Sequence, residues 1–247
     1  MDRMLYIAMN GAQQAMLGQA ANANNMANVS TNGFRADFAQ FRSMPVFGPG
    51  EATRAYAQTE RPATNFAQGP LESTGRDLDM AIKGEGWFVV QARDGSEGMS
   101  RRGDLELTSA GLLVNGAGLP VLGENGPIAL PPAAKVEIGG DGTVSVLPLG
   151  QQDGAMLVLD RILLVNPPLD QLEKSNDGLM RLPEGVPPPP ADAAVALVSG
   201  ALERSNVNVV ESMVEMIALS RKYEMQVNTM RTADENSQAG ASLLRMN

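Results

Sequence analysis

Neither cysteine nor histidine occurs in this sequence. Without cysteine there is no disulfide framework and no thiolate to act as nucleophile or ligand. Without histidine, the usual zinc sites and the Ser-His-Asp and Cys-His arrangements are excluded together. Aromatic residues make up only 4%, against 26 glycines and 16 prolines, so one large core is not expected. The 247 residues suit one domain or two small ones. Positive charge is in deficit, with a formal net charge of −9 and no basic stripe, which argues against nucleic acid as a partner. No apolar run approaches the ~18 residues of a membrane span, so membrane insertion is not expected. The N-terminal apolar run breaks at Asn10 and is too short for a cleaved secretory signal. A chain of this kind that leaves the cytoplasm is expected to keep its N-terminus.

The charge is unevenly placed. Residues 36–204 hold 22 acidic and 13 basic side chains, whereas residues 1–35 and 205–247 carry +1 and −1. An acidic, solvated middle is therefore flanked by two nearly neutral, apolar ends. Ten of the 15 methionines lie in those ends. Methionine is flexible and polarizable, and suits packing surfaces that accept several similar neighbours.

The end segments carry helical periodicity. From residue 213 the positions Met213, Met216, Ser220, Tyr223, Val227, Met230, Asp234, Ser237, Ala241 and Leu244 alternate by three and four, and most are apolar. Asn208 with Glu211 reads as the N-terminal cap. A helix of ~36 residues would be roughly 55 Å long, more than a compact domain needs, so it calls for a partner. Met4, Leu5, Ala8, Ala12, Ala15, Met16, Ala20, Ala23, Met26 and Ala27 form the matching stripe near the N-terminus. The spacing predicts two terminal helices packed as a coiled coil. It fits equally a pair that closes one domain and a pair that also meets other chains. Residues 22–32 hold five asparagines, including Asn24, Asn25 and Asn28. Such a row can bond neighbouring backbones in a packed assembly or mark a polar, fraying helix end, the simpler reading. Asn32-Gly33 is a left-handed stop signal before Phe34.

From Leu78 the period changes. Short apolar runs alternate with turn signals such as Gly84-Glu85-Gly86, Asn115-Gly116 and Asp141-Gly142, the pattern of an antiparallel β domain. The expected fold class is α+β, with 1–33 as the N-terminal helix and 34–76 as an extended connector. A β domain at 77–190 and a return strand with the C-terminal helix at 191–247 complete it. Pro187 to Pro190 reads as a stiff spacer.

No active site emerges. Gly84-Glu85-Gly86 lacks the third glycine and following helix of a nucleotide fingerprint. Asp77 with Asp79 and Asp104 with Glu106 are same-face strand pairs without flanking ligands, better read as a solvated face than as an acid–base pair. Arg101-Arg102 is an isolated basic pair, and Trp87, the only tryptophan, reads as core. No catalytic residue, cofactor or metal is expected.

Five stretches resemble the bacterial flagellar axial proteins, the rod and hook subunits. Ala23 to Arg35 (ANNMANVSTNGFR) is similar to that family's N-terminal signature. Thr74 to Ile82 with Gly84 to Val89 resembles the start of its β domain, and Gly200 to Asn208 with Met216 to Glu224 resembles its C-terminal signature. Within the family the opening Met1 to Met9, the stretch Gly86 to Gly98 and the ending Thr232 to Asn236 look most like proximal-rod members. Met99 to Gly103 departs from the family's aromatic-Thr-Arg pattern. The resemblance implies a non-enzymatic structural subunit of the periplasmic rod, self-assembling into the torque-transmitting shaft around the export channel. Its partners would be other copies, neighbouring proximal and distal rod proteins and the flagellar export apparatus. The subunit-packing residues would be Met4, Leu5, Ala8, Met16, Asn24, Asn25, Asn28, Gly33, Phe34, Asn206, Met213, Met216, Ile217, Tyr223, Val227, Met230 and Leu244. The asparagine-rich segment and Gly33-Phe34 would sit at the joint with the β domain. The alternatives are a distal-rod or hook-type axial protein and, in a different class, a secreted cell-wall hydrolase built on Asp77 and Asp79.

Overall fold

A computed structural model describes residues 3–38, 41–45, 55–59, 63–150 and 156–245. The chain forms two compact units. One comprises residues 1–29, 36–65 and 207–247; the other comprises 30–35 and 66–206.

The first unit contains the two α-helices, α1 (Arg3–Ala27) and α2 (Val209–Arg245). Alanine-rich composition favours α1. At the start of α2 the Asn208 side-chain oxygen accepts from the N–H groups of Val210 (3.0 Å) and Glu211 (3.4 Å), satisfying donors that no earlier turn can reach. The helices run antiparallel: Asn22 Nδ2 donates to Ser212 O at 2.6 Å, while Gly11 lies against Gln226 near the other end. Short strand pairs join Phe41–Pro45 to Ala55–Thr59 and Asp37–Phe38 to Ala63–Thr64.

The α+β class fits, but the expected coiled coil is not found. A coiled-coil seam seats bulky apolar knobs in holes of the facing helix. Here α1 buries Ala8, Ala12, Gln14, Ala15, Gly18, Asn22 and Asn25, and α2 buries Ser212, Leu219 and Ala233. The large side chains Met4, Leu5, Met9, Met16, Leu17, Met213, Val214 and Ile217 are exposed instead. Small residues let the backbones approach closely; a Cβ on Gly11 would come within 2.9 Å of the Gln226 side chain. Because α1 is apolar on more than one side, three-to-four spacing could not tell which stripe faces inward. Along α2 the buried positions 212, 219 and 233 each fall one residue before the expected 213, 220 and 234. Met216, Val227 and Met230 are half-buried, and the Leu244 side chain lies outside the described residues.

The second unit is the β body. Its principal sheet is five-stranded, in the order Leu164–Val165, Trp87–Gln91, Glu97–Ser100, Met180–Arg181, Glu173–Lys174. Side chains alternate across a strand, so Trp87–Gln91 serves two cores. Phe88 and Val90 join Met80, Leu105, Leu113, Val121 and Val144. Trp87 and Val89 join Met99, Leu122, Val165 and Met180 on the other face. The hairpin read at Asp141-Gly142 is present, pairing Val136 with Val146 and Ile138 with Val144. Gly142 takes a φ of 88°, which a side chain would strain. Strands Leu71–Ser73 and Ala201–Glu203 pair with each other, and Ala196–Ser199 pairs with Met80–Lys83, so the body extends beyond 77–190 at both ends.

Candidate functional site

Two places collect the residues singled out in the sequence. The first is the outward surface of the helices. On α1 the exposed bulky side chains are Met4, Leu5, Tyr6, Met9, Met16 and Leu17; on α2 they include Val210, Met213, Val214, Ile217, Tyr223 and Met225. Met16, Met213 and Ile217 are 57%, 51% and 55% exposed. Bulky apolar side chains exposed in this number along both helices mark an interaction surface. Ala8 is buried in the seam between the helices. Asn25 is buried and pairs twice with the backbone of Asp37: its Nδ2 donates to Asp37 O and its Oδ1 accepts from Asp37 N, both at 2.8 Å. Asn28 Nδ2 donates to the carbonyl of Asn24 at 2.9 Å. These asparagine bonds are all made within this chain.

The second place is a buried ionic node in the β body, where Gly33, Phe34 and Asn206 converge. Gly33 N–H donates to Glu203 O at 2.7 Å, and Asn206 N–H to Phe34 O at 3.3 Å. Lys174 Nζ donates to Arg35 O at 2.8 Å and stands 4.0 Å above the Phe34 ring. At the centre lies Glu203, its side chain 1% exposed, with Arg35 Nη1 2.6 Å from Oε1 and Arg101 Nε 2.9 Å from Oε2. The latter contact is an ion pair without hydrogen-bond alignment. Oε1 also accepts from Gly69 N–H at 3.0 Å. Arg101 donates to the carbonyls of Gly86 and Gly84, both at 2.7 Å, and Arg35 to that of Ala67 at 2.8 Å. Both guanidinium groups stand over Trp87, at 5.9 and 5.8 Å from the ring centroid, within cation–π range. Burial pulls the Arg101 guanidinium below its ordinary range, Glu203 opposing the effect and Arg35 adding to it.

Sequence reasoning missed this node. Arg101 read as half of an isolated pair, and nothing local announces that its partner lies a hundred residues away. The available signal was position: Arg35, Trp87 and Glu203 each fall inside a stretch quoted for the resemblance.

Two of the carboxylates considered for catalysis are held in close ion pairs. Asp79 is buried and ion-paired to Arg76 at 3.3 Å, and Asp104 to Arg102 at 2.8 Å. Asp77 lines a shallow groove with Glu137, Thr143, Ser145 and Ser199. Among the described residues no three His, Cys, Asp or Glu side chains are placed to hold a metal ion.

Comparison with known proteins decides the family. Residues 198–243 match the flagellar basal body rod FlgEFG protein C-terminal model, and residues 81–146 match the flagellar hook protein FlgE/F/G D1 domain model. The flagellar basal-body rod protein FlgF of Salmonella typhimurium is 39% identical, and that of Escherichia coli 38%, each over the full length of both chains. The chain belongs to the FlgF family of flagellar basal-body rod proteins. FlgG of Buchnera aphidicola from Schizaphis graminum is also similar, at 33% identity over 94% of this chain and 95% of the relative. The C-terminal family model spans both the Glu203 strand and most of α2. The FlgE/F/G D1 model begins in the strand before Trp87 and ends in the Asp141-Gly142 hairpin.

Proposed function

We propose that this chain assembles into the rod by covering the outward apolar surfaces of its helices with neighbouring subunits. It is a structural subunit of the flagellar basal-body rod. The observation that carries the assembly mode is that α1 and α2 pack largely through alanine, glycine and amide side chains and leave Met9, Met16, Leu17, Met213, Val214 and Ile217 outside. Bulky apolar side chains left in water gain free energy when covered, by ~25 cal/mol per Å². The neighbours are other copies and adjacent rod proteins, delivered by the flagellar export apparatus. Gly33, Phe34 and Asn206 belong to the acidic β body, and the assembled helices transmit torque around the channel.

The test uses Met213→Lys and Ile217→Lys, with Arg221→Lys as the control. Because both target side chains are exposed in the free chain, its unfolding free energy should stay within the ~0.5 kcal/mol typical of surface changes. Incorporation into isolated basal bodies and swimming should be lost in the first two variants and kept in the control. Normal incorporation of both lysine variants would refute this mode of assembly.

A further inference from the structure

Segment 30–35 follows α1 and belongs to the β body, which the chain leaves at Ala36 and re-enters at Phe66; segment 201–206 leads out of the body to α2. Both are held at the Glu203 node. The buried node has two cations and one anion, with Glu85 acting on Arg101 from an exposed position. Its surplus positive charge is met by the Ala67, Gly84 and Gly86 carbonyls and by the Trp87 ring face. We propose that Arg35, Glu203 and Arg101, seated on Trp87, form a latch that clamps the incoming and outgoing segments side by side on the β body.

The charge count makes the three residues unequal. Removing Glu203 leaves two guanidinium groups buried together without a counter-charge, the costly way to break a buried pair. Removing Arg35 leaves Arg101 and Glu203 as a balanced pair, still anchored to Gly84 and Gly86. Arg101 is therefore part of the body, and Arg35 is the arm that closes over it. A residual hold on segment 30–35 remains through Gly33 N–H and Lys174, so loss of Arg35 loosens the segment without unfolding the body.

The experiment uses the full chain, whose only tryptophan lies under both arginines, so its emission reports the node directly. The variants are Arg35→Met, Glu203→Gln and the two combined. Arg35→Met should alter the tryptophan emission and lower the melting temperature slightly. It should also raise chymotryptic cleavage after Phe34 by about tenfold, as expected when a local opening becomes easier by ~1.4 kcal/mol. Glu203→Gln should lower the melting temperature much further. In that background Arg35→Met should raise it, because one of two unpaired charges is then gone. The proposal is overturned if Arg35→Met lowers stability equally in both backgrounds, or destabilises the body as severely as Glu203→Gln. It is overturned as well if cleavage after Phe34 is unchanged. Should Glu203→Gln fail to fold, the Arg35→Met cleavage and emission measurements alone decide.

Discussion

Single residues differ sharply in how visible their roles are from sequence. Gly33 was legible, because asparagine followed by glycine at a helix end marks a left-handed stop, and its φ is 67°. Its second constraint was not: a Cβ there would lie 2.4 Å from the Arg101 carbonyl carbon and 2.6 Å from its oxygen. That contact is made across a long stretch of chain, and no local pattern encodes it. Gly33→Val therefore meets both backbone strain of ~1–3 kcal/mol and a collision that only a shift of segment 30–35 can relieve. The expected outcome is a lower melting temperature of the β body with a changed Trp87 emission. Thermal unfolding indistinguishable from the parent chain would show that the turn is placed wrongly. Arg101 is the opposite case, invisible as a functional residue until Glu203 and Trp87 are seen beside it.

At the scale of elements, existence was easier to read than orientation. Both helices, the Asn208 cap and the 136–146 hairpin follow from periodicity and turn chemistry. The seam between the helices does not, because a stripe at three-to-four spacing exists on more than one side of α1, and the bulkiest stripe faces out. The short strands Glu97–Ser100, Glu173–Lys174 and Met180–Arg181 escaped notice for a related reason. They are polar or only two residues long, and are held by the sheet rather than by their own propensity. The seam yields its own prediction. Ala15 is fully buried, so Ala15→Leu overpacks the approach of α1 to α2 and should cost about 1–3 kcal/mol. Loss of helical circular dichroism at lower temperature than in the parent chain would register it. Ala20→Leu, at an exposed position, should have little effect. Equal responses at the two positions would contradict the assigned seam.

The whole molecule divides its labour between its two units. Nearly all net charge resides in residues 36–204, and the helices are almost neutral, so solubility rests on the β body and association on the ends. The charge partition and the change of period near Leu78 are plain in the sequence itself. The Glu203 node and the extension of the body to 66–206 depend on pairings between distant strands. The absence of cysteine makes the central claim directly measurable. Met16→Cys and Met213→Cys each place one thiol on the outward helix surface, and Leu149→Cys places one on an exposed site of the β body. In the free chain all three should react readily with a maleimide. In isolated basal bodies the Met16→Cys and Met213→Cys thiols should be protected while the Leu149→Cys thiol still reacts. Helix thiols that label as fast in the assembled rod as in the free chain would contradict the account.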